Sequence, residues 1–217
     1  MLTISLTSIP PRFAGLGAVL VALLAQDAVS EVRLTLPRSY PRFPGPFELP
    51  DLPEGVRLAR VEQDLGPATK LLPALTQTQG PVLICDDDWL YDPGWAAGFL
   101  AAARANPGAA IAASSFDAAR IGVGSGVIVQ GFAGVLVTPA MVPDAIFDLP
   151  DRFRSVDDIW LSGMLAVAGT PAVTVPALRD LCCPSGNDAA ALQDVDDRAR
   201  LNKDCATWMA TTYGIWD

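Results

Sequence analysis

A chain of 217 residues, 51% hydrophobic and only 18% charged, has ample apolar material for a core and too little charge to remain disordered. Its net charge of −9, with no cluster of lysines and arginines, argues against a nucleic-acid backbone as partner. The sequence contains no histidine, which excludes His-based triads, histidine general bases and His-ligated zinc; any metal must be held by oxygen, as magnesium or manganese is.

Residues 2–7 alternate Leu2, Ile4 and Leu6 with polar neighbours and predict a strand, ended by "SIPPR" at 8–12. The apolar run 15–25 is too short to span a bilayer and lacks a charged leader before it, so it predicts a buried helix reaching about Gln26. Strands follow at 32–36 and 56–61, separated by the proline-dense stretch 37–55; a loop of that length inside a domain is usually functional. Residues 66–77 have helical periodicity, with Pro67 in the first turn and Pro73 as an expected break. "PVLICD" (81–86) reads as a central parallel strand, because a strand buried on both faces is apolar throughout.

Asp92-Pro93 suggests an N-cap and first-turn proline for a helix to about Ala103. Residues 109–114 predict a short strand, and 122–139 is glycine-rich and then β-like, as in a hairpin. A helix over 155–169 has Ser155 as its candidate cap and Gly169 as its stop; residues 188–212 read as a helix with an acidic solvent face. Strands alternating with helices predict one α/β domain over 1–217, with a mixed, mostly parallel, Rossmann-like sheet flanked by helices. The four cysteines lack metal-ligand spacing and fit reduced thiols in a cytoplasmic protein.

Two acidic sites carry the chemistry. Asp86, Asp87 and Asp88 end the buried strand, where open α/β sheets bind ligands. Hard carboxylate oxygens there suit a divalent cation gripping a substrate diphosphate; the bland alternative is an acidic turn without a ligand. The second site, "VDD" at 156–158, lies 70 residues further on. Asp157 or Asp158 could be a general base, although Ser155 and Asp158 also have the spacing of a capping box. Lys70 is one of two lysines against thirteen arginines, which suggests a point charge for a phosphate, unless it merely sits on a solvated helix face. Trp89 and Trp160 neighbour the acidic motifs and could stack on a ligand or fill the core. The "GVGSG" stretch at 122–126 lacks both dinucleotide and Walker spacing.

Four motifs in order, "TSIPPR", "DLGPATK" (64–70), "CDDDWLYD" (85–92) and "VDDIWLSG" (156–163), resemble the nucleotide-sugar glycosyltransferases of the GT-A fold. The resemblance implies that the triple aspartate is a DxD motif, with Asp86 and Asp88 holding Mn2+ or Mg2+ and Asp87 on ribose or metal. "VDDIWLSG" is similar to the acidic motif of inverting galactosyl- and N-acetylglucosaminyltransferases, which makes Asp158 the base and Asp157 the preceding acid. Thr7, Ser8 and Arg12 would face the nucleoside, with Asp64, Lys70 and Trp160 completing the donor site. "GFAGVLV" (131–137) is similar to the segment that shapes the donor-sugar and acceptor pocket, and places Gly134 there. Many members add a C-terminal histidine to the metal; here Asp180 or Asp188 is the candidate substitute.

The expected activity is metal-dependent transfer of a sugar, with inversion, from a nucleotide-sugar donor, UDP-linked by preference. The acceptor would be a glycan or other hydroxyl compound, with bacterial surface polysaccharide the expectation from the resemblance. The alternatives are a metal-dependent nucleotidyltransferase and an inactive nucleotide-sugar-binding module.

Overall fold

The computed structural model describes residues 1–187, 189–190 and 197–216. Its centre is a seven-stranded sheet. The strands are β1 (Leu2–Leu6), β2 (Val29–Pro37), β3 (Val56–Val61), β4 (Val82–Ile84), β6 (Ala110–Ala112), β9 (Val135–Val137) and β10 (Ala172–Thr174). Their order is β10-β6-β9-β4-β1-β2-β3. Only β9 opposes the direction of its neighbours, pairing antiparallel with β4 and β6. The remaining four pairings in the order are parallel: β1 with β2 and β4, β2 with β3, and β6 with β10. The expected mixed, mostly parallel sheet is therefore present.

Helices cover both faces. On one face lie α1 (Leu16–Leu24) and α3 (Trp95–Ala105), packed on Leu2, Ile4, Leu83, Ile111 and Leu136. On the other lie α2 (Leu72–Gln77), α4 (Asp157–Val167) and α5 (Arg198–Tyr213), packed on Val82, Ile84, Val135 and Val137. The period-two side-chain alternation of a strand sends Leu83 one way and Val82 and Ile84 the other. In α1 the buried residues Leu16, Val19, Leu20 and Leu23 follow the three-four spacing of an apolar stripe. Fully burying each such side chain contributes about 1.5–3 kcal/mol. The apolar run at 15–25 is thus a sheet-covering helix, and among the described residues no helix is long and apolar enough to cross a membrane.

Several expectations need correction. Pro73 does not break a helix: a 3-10 turn spans Gly66–Lys70, and Pro73 sits in the first turn of α2, where its missing N–H costs nothing. Asp92 does not cap α3. Residues Trp89–Tyr91 form an extra strand, β5, paired antiparallel with β11 (Cys182–Pro184), and α3 begins only after Gly94, whose φ of 88° turns the chain. The 122–139 region is not a hairpin. Its first strand, β8 (Val127–Val129), pairs backwards with β7 (Ser115–Asp117), while β9 enters the central sheet. Ser155 does not cap α4, whose N-cap position is Val156 without a side-chain bond. Of the expected tail helix, Asp188 and residues 191–196 lie outside the described residues, 189, 190 and 197 are turn, and the helix itself is α5.

Candidate active site

The parallel strands deliver their carboxyl ends to one rim of the sheet, and a cavity of about 710 Å³ opens there, within the usual range for small-ligand sites. The position of each strand decides what it contributes. Thr7, Ser8 and Arg12 follow β1; Tyr40 and Arg42 follow β2; Asp64 follows β3; the three aspartates follow β4. Because β9 runs the other way, the residues that precede it, Gln130 and Phe132, reach the same rim. Asp157 and Asp158 arrive at the start of α4.

The three aspartates have different fates. Asp87 is buried and its carboxylate is consumed internally: Arg12 Nη1 donates to Oδ1 at 2.6 Å and Ser8 Oγ donates to Oδ2. Asp86 accepts from Lys70 Nζ at 2.6 Å and keeps 32% of its side chain exposed. Asp88 accepts from Arg12 Nη2 at 3.1 Å on one oxygen, while its Oδ1 is buried without a hydrogen-bond partner among the described residues. An unsatisfied buried carboxylate oxygen is costly, so this one has capacity for a further partner. Burial and the Asp86 charge push the Asp88 carboxyl up to about 6.

Lys70 is not on a solvated face. Its ammonium is buried between Asp86 and Asp157, at 2.6 and 2.9 Å. Burial alone would push its pKa down; the charges of Asp157, Asp86 and Asp158 outweigh that and hold it above the ordinary lysine value. One lysine thus joins the two acidic motifs. Asp158 stands beside this pair. Its Oδ1 accepts from the Gly131 backbone N–H at 2.9 Å, and the Ser162 hydroxyl donates to its carbonyl. The Asp158 carboxylate therefore bonds across to the rim instead of back to Ser155, as a capping box would require. Burial and the Asp157 charge push it up to about 7. A carboxylate in that range is matched to accepting a proton near neutral pH.

The sequence brings together Thr7, Ser8, Arg12, Asp64, Lys70, Asp86, Asp87, Asp88, Asp157 and Asp158 around this cavity. It does not bring Gly134 or Trp160. Gly134 has φ 110°, and a Cβ there would lie 2.6 Å from Trp95 and 2.8 Å from Phe99, so its place is a packing contact beneath the rim. Trp160 is buried, donates to the Ile146 carbonyl and stacks on Trp208, as a core residue. Asp180 is exposed and away from the cavity lining, and Asp188 lies outside the described residues. Within the cavity, Thr7 Oγ1 donates to Thr35 O at 2.7 Å and Asp64 Oδ1 accepts from the Gly66 N–H at 2.8 Å; both have local structural partners.

At the wall of the cavity Trp89, which the sequence left open as a stacking or core residue, is joined by Phe132 and Arg179, which the sequence did not single out. Trp89 and Phe132 lie with ring centroids 4.9 Å apart, and the Arg179 guanidinium covers them at 4.3 and 5.2 Å. Tyr91 organises this corner. Its hydroxyl accepts from the Asp86 N–H at 3.1 Å and lies within donating distance of the carbonyls of Asp86 and Phe132. Tyr91 is buried while Trp89 lines the cavity, a difference that strand alternation does not signal, since residues two apart share a face.

Among the described residues no three acidic or thiol side chains converge as a complete cation cage. Asp86 and Asp88 both have carboxylate capacity left at the turn after β4, and two such ligands suffice for magnesium-type sites completed by phosphate oxygens and water. The donor set and the orphaned Asp88 oxygen therefore fit a hard divalent cation.

No protein-family model matches the chain, and neither does any curated protein. Among solved structures it is similar to the mannosyltransferase PcManGT from Pyrobaculum calidifontis in complex with GDP-Man and Mn2+, with a TM-score of 0.54. The match covers 98% of this chain and 70% of that one at 16% identity, a likeness of fold.

Proposed function

We propose that this chain is a metal-dependent glycosyltransferase that moves a sugar from a nucleotide-sugar donor to an acceptor hydroxyl, with inversion at the anomeric carbon. The observation that carries the reading is the convergence of Asp88, with its orphaned oxygen, and Asp158, with its raised pKa, on one cavity. The fold shared with a GDP-mannose-binding mannosyltransferase supports it.

In this reading Asp158 takes the proton of the acceptor hydroxyl. The freed oxygen attacks the anomeric carbon as the bond from that carbon to the diphosphate oxygen breaks, and the electron pair leaves with the nucleoside diphosphate. Asp86 and Asp88 would hold a divalent cation, which when bound would supply positive charge for that leaving group. Lys70 neutralises Asp86 and Asp157 and so fixes the spacing between the cation-binding turn and the base; it is too deeply buried to clasp a phosphate itself. Arg12 holds Asp87 and steadies the acidic turn. The nucleoside belongs at the β1–β3 end, beside Thr7, Ser8, Tyr40 and Asp64.

The test is a transfer assay with GDP-, UDP-, CMP- and dTDP-linked sugars, each with and without Mn2+. Metal-dependent release of nucleoside diphosphate, with the sugar appearing on an acceptor in the opposite anomeric configuration, is expected from one of them. Turnover of nucleoside triphosphates instead would make the protein a nucleotidyltransferase, and donor binding without turnover would make it a binding module.

A further inference from the structure

We propose that Arg179, lying over Trp89 and Phe132, forms an acceptor subsite selective for a sugar bearing an anionic group on its ring, such as a uronic acid. The inference rests on the transferase reading and names the class of acceptor it uses.

Placement comes first. The sheet sorts the cavity into two ends. Tyr40, Arg42 and Asp64 mark the β2–β3 end, and the acidic turn after β4 stands between. Phe132 leads into β9 and Arg179 follows β10, so both lie on the far side of that turn. Phe132 directly follows Gly131, whose N–H holds the Asp158 carboxylate. A hydroxyl within reach of Asp158 therefore has Phe132, Trp89 and Arg179 as its surroundings rather than the nucleoside end.

Chemistry comes second. Aromatic faces suit the apolar side of a sugar ring. The arginine adds something a neutral sugar does not need. Among the described residues Arg179 forms no ion pair, although six aspartates line the same cavity. Its Nη1 donates to the Cys182 carbonyl at 2.8 Å, and the Cys182 thiol donates back to the Arg179 carbonyl at 3.3 Å, so the side chain is fixed over the rings. Stacked guanidinium groups keep their charge and present a planar edge for bidentate carboxylate contact. An anionic acceptor entering a cavity lined with aspartates, on a chain of net charge −9, needs such a local cation to offset the repulsion.

The experiment compares methyl glucuronide with methyl glucoside as ligands of the full chain, in the presence of Mn2+ and GDP or UDP, by ligand-observed NMR titration. The wild type should bind the glucuronide about tenfold more tightly, the scale of one added charge-assisted interaction. Arg179→Met should bring the ratio close to one, and Arg179→Lys should retain part of it. Equal affinities in the wild type, failure to bind either glycoside, or a preference that survives in Arg179→Met would overturn the proposal. So would a tenfold loss of GDP or UDP affinity in Arg179→Met, which would assign the arginine to the donor phosphates. A glucuronide preference without transfer from any nucleotide sugar would sink the transferase reading and leave the subsite standing. Transfer without the preference would do the reverse.

Discussion

Lys70 and Asp157 meet at 2.9 Å across the gap between the 3-10 turn before α2 and the first turn of α4. Both side chains are buried, and the same ammonium reaches Asp86. Removing one partner of a buried pair leaves an uncompensated charge. Lys70→Met should therefore lower stability by about 3–5 kcal/mol. Chemical denaturation at pH 7.5 measures this, and a loss below about 1 kcal/mol would show that the pair carries little of the packing at this junction.

Asp158 provides a pH signature. Its folded-state carboxyl is pushed up to about 7, well above the unfolded value of about 4. Between those limits the folded state holds the extra proton, so stability contributed by this group is full below about pH 4 and declines as pH rises through about 7. Asp158→Asn keeps an oxygen for the Gly131 N–H and has no charge to bury. It should flatten the decline between about pH 4 and 7, measurable by urea denaturation across that range. An unchanged slope would mean that another group is responsible.

The same variant tests catalysis. With Asp158 as the base, transfer should rise with pH through about 7 and level off above it. Asp158→Asn should lose about 10²–10⁴-fold in turnover while still binding the donor. Wild-type turnover in the variant would remove Asp158 from its role.

Adjacent aspartates should behave oppositely. Asp87 is locked by Arg12 and Ser8, so Asp87→Asn should cost about 3–5 kcal/mol of stability. Asp88 has an oxygen without a partner, so Asp88→Asn should leave the melting temperature nearly unchanged and abolish Mn2+-dependent nucleoside diphosphate binding in calorimetry. Retained tight metal-dependent binding would remove Asp88 from the cation site.

Beneath the rim, Gly134→Ala should be destabilising by about 1–3 kcal/mol, because its Cβ would press on Trp95 and Phe99 from a backbone with φ 110°. A melting curve suffices to check it; an unperturbed midpoint would show that the two rings yield freely.

Much of this architecture is written in local patterns. The uniform apolarity of residues 82–84 marks a strand buried on both faces, and the stripe Leu16, Val19, Leu20, Leu23 marks a sheet-covering helix. The acidic residues at 86–88 and 157–158 stand out because charge is scarce elsewhere. The reversed insertion of β9 was not legible, since a three-residue strand carries no record of its direction. Nor was the β5–β11 ribbon, whose halves are 95 positions apart in pairing Trp89 with Pro184. Rarity drew attention to Lys70, yet only the packed structure reveals that it serves two carboxylates and not solvent. Gly134 and Trp160 belonged to motifs that face the cavity, but the Gly134 backbone packs against Trp95 and Phe99 and the Trp160 ring turns into the core.

The reversed strand β9 has an architectural consequence. A sheet with all strands aligned would leave the approach to that central position on the opposite side of the molecule. By running against its neighbours, β9 lends the rim an extra segment, Gln130–Phe132, anchored at one end in the middle of the sheet and tied at the other to Asp158. Replacements at Gln130 or Phe132 would reshape this part of the cavity wall and leave the pairing of the parallel strands in place.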